Sequence, residues 1–341
     1  MKTEIVAAID DRRRRPQTAA TERAVELLEK REPVALPTET VYGLAANALD
    51  PMAVAKIFEA KERPNFDPLI VHLPGCDWLD RVAAVRDDER QLIGKLADRF
   101  WPGPLTIVLL KREIIPDIVT AGLDTVAVRI SSHPVFAQVI DVFGRPLAAP
   151  SANRFGRVSP TTAQHVRDEL DGRLPLIVDA GPTAHGIEST IVAVRDGKIH
   201  ILRRGPVTTE QLSKFGKIDI AAPIGKVSVP GQLPTHYAPR TPLCLIESAG
   251  AFLPEENQRV GLLAWNSAKS AKDFAVVRCL SERQDFRQAA ANLFSYLREL
   301  DQSDLDLIVA ERVPLHGLGA AIMDRLQRAA HGPVDTQDRP E

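Results

Sequence analysis

The sequence predicts an α/β protein with two domains. Three observations carry this. The chain has 341 residues, 44% hydrophobic and 26% charged, enough to bury two cores of ordinary size. Apolar runs of strand length alternate with helical-period segments over the first two-thirds of the chain. A proline-rich stretch without period then intervenes, after which the alternation resumes.

The elements follow in order. "TAATERAVELLEKRE" places Ala24, Leu27 and Leu28 at helical spacing, and "PVALPT" is a short apolar strand. "DPMAVAKIFEAKER" opens with Asp50 and Pro51, an N-cap followed by proline at the first helical position. "PLIVHL", "LTIVLLK", "TVAVRI" and "PLAAPS" read as strands, and "RDDERQLIGKLADRF", "HPVFAQVIDVFG" and "TTAQHVRDELDG" as helices. "LPLIVDAG", "STIVAVRDG" and "KIHILRRG" complete the first region as strands, the last two as a hairpin turning at Asp196-Gly197. "TTEQLSKFG" makes one more short helix.

The segment 218–242 carries five prolines and no period, which marks a linker or a functional loop. Beyond it "PLCLIES", "RVGLLAWN", "FAVVRCL" and "DLIVAERVP" are strand-like. "DFRQAAANLFSYLRELD" and "GLGAAIMDRLQRAA" are helical, the first with a stripe of Phe286, Ala290, Leu293, Phe294, Leu297 and Leu300. A small parallel sheet is expected there. The boundaries expected are a first domain over 1–210, a linker over 211–241, a second domain over 242–330 and a disordered tail over 331–341.

Composition narrows the function. A net charge of -2 gives no overall pull toward nucleic acid or membrane, so any anion site must be built locally. The arginine run at 12–15 is flanked by Asp10 and Asp11 and reads as a solvated segment. No stretch has the length of a signal peptide's apolar core or a membrane span, so a cytoplasmic protein is expected. Cys76, Cys244 and Cys279 are far apart and outside any metal or disulfide spacing. The sequence holds no G-x-S-x-G, H-E-x-x-H, G-x-x-x-x-G-K-[ST] or G-x-G-x-x-G pattern. Neither a covalent nucleophile nor a standard nucleotide loop is indicated.

Polar clusters beside strand ends recur instead. "LPTETVYGLAANA" ends an apolar lead-in with Thr38, Glu39, Thr40 and Tyr42. Lys56, Lys61 and Arg63 suit a polyphosphate, with Asn65 in the irregular turn after them. The five-residue step from Lys56 to Lys61 puts those two on different sides of a helix. On spacing alone a solvated helix end is the preferred reading. His72 follows the apolar strand "LIV" and reads as a core or rim residue. Arg129 interrupts "VAVRI" and needs either an anion or an exposed face. In "APSANRFGRVSPT" Ser151, Asn153, Ser159 and Thr161 precede a helix start, which fits a phosphate site or a capped surface loop. Ser189, Thr190, Arg203 and Arg204 stand at further strand ends. Taken together these groups indicate a pocket for an anionic ligand.

"LPTETVYGLAANA", "KERPNFDPLIVHL", "FWPGPLTIVL", "VAVRI", "APSANRFGRVSPT", "DAG…GIESTIV" and "ILRRG" stand in the order they take in the YrdC-like family, which residues 15–210 resemble. "PGQLPTHYAPRTP" and the α/β tail resemble the long, two-domain threonylcarbamoyl-AMP synthases of that family. The resemblance implies a twisted α/β sheet with a concave, basic cavity and a smaller Rossmann-like parallel α/β domain. It implies condensation of L-threonine, bicarbonate or CO2 and ATP to threonylcarbamoyl-AMP and pyrophosphate, with Mg2+ accompanying ATP. The product would pass to a separate transferase complex that modifies tRNA beside the anticodon, this chain touching tRNA weakly or indirectly and no membrane.

Carried onto matching positions, the resemblance implies that Thr38, Thr40, His72, Arg129, Ala149 and Ser189 line a threonine pocket, Arg129 taking the carboxylate. Lys61, Arg63, Asn65, Thr106, Ser151, Asn153, Ser159, Arg203 and Tyr237 would hold ATP, and Lys56, Lys61 and Arg63 would offset charge during reaction. Residues 225–240 are expected to act as a lid. Two departures stand out: Glu62 where the family often has Gly, and Asp67 where it often has Asn. Arg204 also replaces a common Pro. Two rivals are a hydrogenase-maturation carbamoyltransferase, whose zinc-finger and acylphosphatase modules have no signal here, and an RNA-binding module, against which the 5% aromatic content argues.

Overall fold

The computed structural model describes residues 2–10, 15–16, 18–219, 229–230, 237–266 and 271–330. Most of the expected lid at 225–240, the tail at 331–341 and Arg12–Arg14 lie outside the described residues. The chain divides into two compact units, Met1–Phe155 with Pro160–Gln232, and Gly156–Ser159 with Leu233–Glu341.

The first unit is built on one mixed sheet. Its strands run in the order Glu4–Ala7, Leu176–Asp179, Val34–Pro37, Tyr42–Asn47, Leu147–Ala148, Ile70–His72, Thr125–Arg129, Leu105–Lys111, Thr190–Arg195, Lys198–Arg203 and Lys217–Asp219, with Ala83–Ala84 also paired to Leu105–Lys111. Glu4–Ala7, Tyr42–Asn47 and Lys217–Asp219 are strands that the periodicity did not indicate. The last two follow regions dominated by small or polar residues, and their pairing comes from long-range neighbours.

Side chains alternate between the two faces of this sheet with period 2. At the Glu4–Ala7 end, Leu36, Ala45, Leu176 and Val178 pack with Leu28, Phe136, Val139 and Ile140 of helices Thr18–Glu29 and Pro134–Phe143. Their neighbours Ala35, Leu44 and Ile177 face the other way, into the main core with Ile57, Ile93, Leu96 and Val166. Helices Pro51–Lys61, Asp87–Phe100 and Ala163–Leu170 supply those four residues. Asp50 caps the first of these helices, its carboxylate accepting from Met52 N at 3.0 Å, as the Asp-Pro pair predicts.

Further along the sheet the main core takes Val71, Ile107, Leu109, Val126, Val128, Val192 and Val194. The opposite face carries a smaller cluster of Ile70, Val108, Ala127, Ile191, Ala193 and Val229. His72, Arg129, Thr106 and Ser189 each stand two residues from a member of that cluster. The pleat therefore brings all four to one face.

The second unit is a four-stranded parallel sheet in the order Leu243–Ile246, Leu307–Glu311, Val260–Ala264, Val276–Cys279. Helices Phe286–Asp301 and Gly319–Ala330 accompany it, with Leu293, Phe294, Leu297, Ile322 and Leu326 buried. Asp285 caps the first helix through Arg287 N at 2.7 Å.

Candidate active site

Three groups of polar side chains meet the first unit's sheet. The first is centred on Arg129. Strands Ile70–His72 and Thr125–Arg129 run parallel, with His72 opposite Arg129. Arg129 is buried, so the exposed-face reading of "VAVRI" does not hold. Its Nη2 donates to Glu39 Oε1 at 2.6 Å and its Nη1 to Thr40 Oγ1 at 3.2 Å. Ser131 Oγ donates to the other oxygen of Glu39 at 2.5 Å. Burial alone would push the Glu39 carboxyl up, but Arg129, the Ser131 hydroxyl and backbone N–H donors together hold it below its usual value. His72 packs tilted against Phe136, ring centroids 4.8 Å apart, and burial, with Arg129 alongside, holds its pKa well below the ordinary imidazole value.

The hydroxyls of "PTETVY" divide their work. Thr38 Oγ1 donates to Val41 O at 2.6 Å and accepts from Thr40 N at 3.1 Å, so it closes its own turn. Thr40, 2.8 Å from Thr38, is the one that reaches Arg129. Tyr42 OH donates to Gly181 O at 2.8 Å and ties this strand to the strand at 176–179. Ala149 lies beside the same turn, its N–H donating to Ile70 O at 3.0 Å. A Cβ at Gly43 would come within 3.3 Å of Ala149 Cβ, a tight contact, so glycine eases this close approach.

The second group is Thr106, Ser189 and Arg203. Thr106 Oγ1 and Ser189 Oγ are 2.8 Å apart. Arg203 donates from Nη2 to Ser189 Oγ at 3.0 Å, from Nε to Ser189 O at 3.0 Å and from Nη1 to Pro230 O at 3.2 Å. Arg203 should by strand period share the core face of Ile199 and Ile201. The register with Thr190–Arg195 slips by one residue, so that Ile191 opposes Arg203 while Val192 opposes Ile201. This bulge turns Arg203 onto the face of Ile191 and Ser189.

The third group surrounds the end of helix Pro51–Lys61. Lys61 is buried, and its ammonium donates to the carbonyls of Ser151 (2.6 Å) and Asn153. Burial and the neighbouring Arg63 hold its pKa well below the ordinary lysine value. Glu62 ends the helix in the left-handed region (φ 53°), which turns Arg63 back over its own loop. Arg63 Nε donates to Asp67 O at 3.1 Å and Nη2 to Pro68 O at 2.8 Å, and Nη2 also pairs with Asp67 Oδ2 at 2.9 Å. The loop after Ala149 is docked by Ala152 N to Tyr42 O (2.8 Å) and Phe155 N to Lys61 O (3.0 Å). Asn153 is buried, its amide donating to Arg154 O at 2.7 Å.

Four expected site residues stand elsewhere. Lys56 is not in the third group: its ammonium pairs with Glu32 at 2.6 Å on a partly exposed helix face. The five-residue step from Lys61 accounts for this. Asn65 is exposed on its turn. Ser159 is buried within the 156–159 segment of the second unit. Tyr237 is buried in that unit too, its ring stacked on Phe294 at 5.4 Å with Arg325 at 5.3 Å. The structure also adds residues that the sequence reading did not assign. Glu39 and Ser131 flank Arg129, and Asp67 faces Arg63. Ser131 had a signal, since it follows Arg129 by two. Asp67 is i+4 from Arg63, but in a proline turn that spacing has no fixed meaning.

A family model described as "Telomere recombination" matches residues 26–205, and one described as "Threonylcarbamoyl-AMP synthase, C-terminal domain" matches 207–331. The chain is 41% identical over 332 residues to a threonylcarbamoyl-AMP synthase of Bacillus subtilis, covering 94% of each. It is 40% identical over 314 residues to one of Pyrococcus abyssi, covering 87% of this chain and 90% of that one. A crystal structure of P. abyssi Sua5 complexed with L-threonine aligns with a TM-score of 0.86 at 36% identity, over 96% of this chain and 98% of that one.

Proposed function

This chain belongs to the threonylcarbamoyl-AMP synthase family in its two-domain form, and from that premise we propose how its residues work. It is an enzyme that condenses L-threonine, bicarbonate or CO2 and ATP to threonylcarbamoyl-AMP, releasing pyrophosphate, for threonylcarbamoyladenosine modification of tRNA. The step is a nucleotidyl transfer, and the product passes to a separate tRNA-modifying transferase.

One observation carries the assignment of residues. Arg129 and Arg203 are turned to one face of the sheet, each held by a different set of partners. Two separate cationic centres suit a reaction that joins a carboxylate-bearing amino acid to a triphosphate. Arg129, oriented by Glu39 and flanked by Thr40 and His72, takes the threonine carboxylate. Ala149 and Ser189 complete that pocket, and Thr38 shapes it through its turn. Lys61, Arg63 and Arg203 face the phosphates, and Thr106, Ser151 and Asn153 hold the nucleotide with them. Asn65 is a further nucleotide contact in this proposal, and Lys56 has no place in it.

The chemistry needs no covalent enzyme intermediate. The neutral amine of threonine adds to CO2, forming a C–N bond and, after loss of a proton, a carbamate. The carbamate oxygen attacks the α-phosphorus in line, and the bond to the β-phosphate oxygen breaks. The cations offset charge on the departing pyrophosphate. Among the described residues no group of three or more His, Cys, Asp or Glu could hold a metal ion. The described side chains therefore form no protein cage for Mg2+. An ion arriving on the triphosphate would keep its waters and phosphate ligands.

The test is pyrophosphate release from ATP and bicarbonate, with L-threonine, L-serine or neither. Strong stimulation by threonine and weaker stimulation by serine is expected. Release indifferent to amino acid would refute the assignment.

A further inference from the structure

Asp67 is a fully buried carboxylate whose place the reaction does not explain. It pairs with Arg63 Nη2 at 2.9 Å, and its oxygens have no hydrogen-bond donor beyond that ion pair among the described residues. Burial pushes its carboxyl up from the usual value, and the charges of Arg63, Lys61 and Arg203 oppose that shift. A buried carboxylate left with one ion-pair partner is costly unless the charge itself is needed. The three cations near it are those assigned above to the phosphates of ATP. Glu169 also acts on Lys61, favouring its charged form. Glu62 is turned away, pairing with Arg173 at 2.7 Å.

We propose that Asp67 is an internal counter-ion of the phosphate site, competing with the triphosphate and with pyrophosphate for Arg63. With the site empty, Asp67 balances a cluster of cations that would otherwise repel one another. When phosphates arrive, Arg63 divides its charge between them and Asp67. As pyrophosphate departs, Asp67 takes Arg63 back, so the site does not hold its product. The exchange moves no proton and forms no covalent bond. Buried charges a few ångströms apart are weakly screened, so one carboxylate is enough to change phosphate affinity by about tenfold.

The inference rests on the assignment of this cluster to phosphate. Its test is Asp67→Asn, which keeps the size and removes the charge, read by inorganic pyrophosphate inhibition and by separate KM values for ATP and threonine. The expected result is pyrophosphate inhibition about tenfold tighter, a lower KM for ATP and an unchanged KM for threonine. A merely structural carboxylate would weaken all three together. Asp67→Ser, read in the same way, serves if the first variant does not fold. Failure of both to fold overturns the inference, as does pyrophosphate binding that stays equal or weakens. Weaker pyrophosphate binding with a raised Mg2+ requirement would make Asp67 a metal ligand instead. If the unmodified enzyme releases no pyrophosphate in response to threonine, the functional reading fails. Calorimetry of pyrophosphate on the unmodified enzyme and Asp67→Asn then still decides the counter-ion role.

Discussion

Arg129 is a buried charge and cannot stand without a partner. Its charge is balanced by Glu39, and Glu39 is in turn held by Ser131, so three buried side chains form one unit. Removing one partner of a buried pair strands the other charge and costs about 3–5 kcal/mol. Glu39→Ala is therefore expected to lower stability by about that amount, measured by chemical denaturation. Glu39→Gln keeps the shape and should chiefly raise the KM for threonine, because the guanidinium loses the partner that orients it. An equal rise in the KM for ATP would show that Glu39 only supports the fold. The sign of the pH effect follows from the lowered pKa of Glu39. Its contribution is complete above the unfolded carboxyl value near about 4.3 and fades as pH falls through the folded value.

At the scale of elements, the site depends on places where regular structure is interrupted. The bulge near Leu202 reverses the side on which Arg203 emerges, and Gly205 follows it directly. A Cβ at Gly205 would meet Glu188 O and Thr190 N at 2.5 Å and the carbonyl carbon of Ser189 at 2.7 Å. All three are backbone atoms and cannot swing aside. Gly205→Ala should force the start of strand Thr190–Arg195 outward, moving Ser189 away from Arg203 and Thr106. The expected outcome is a stability loss of about 1–3 kcal/mol and a threonine-dependent rate reduced by more than stability explains. An unchanged rate at a temperature where the variant is folded would refute it. This element also marks the limit of what periodicity could read. "VAVRI" shows by period 2 that Arg129 opposes Val126 and Val128, and the structure keeps that. The same rule misplaces Arg203, because a bulge leaves no compositional trace in "KIHILRRG". The helical step correctly separated Lys56 from Lys61, yet the family likeness grouped them. Glu39 stayed unassigned because its partner Arg129 is 90 residues distant.

Across the whole molecule, two α/β units were legible because most strands and helices carry their own apolar period. The long order of the first sheet was not, since it is set by pairings between distant segments such as Glu4–Ala7 with Leu176–Asp179. Burial on that scale also determines how the fold responds to acid. His72 sits under Phe136 beside Arg129, and burial and that positive charge disfavour its protonation. His133 caps helix Pro134–Phe143 by accepting from Val135 N at its Nδ1 (3.3 Å), which requires an unprotonated nitrogen. Burial lowers its pKa as well, Glu39 opposing the shift only in part. Both histidines thus bind a proton more readily in the unfolded chain than in the folded one. Stability attributable to them is complete above the unfolded imidazole value near about 6.5 and is lost as pH falls from there toward the folded values. The unfolding free energy of the first unit should therefore decline as pH falls below about 6.5, each histidine adding to the slope. Replacing His72 by Asn removes one titrating group, so the decline should be shallower even if the variant is less stable throughout. A slope that is the same in both proteins would mean that His72 is protonated in the folded chain, and its burial against Arg129 would need another explanation.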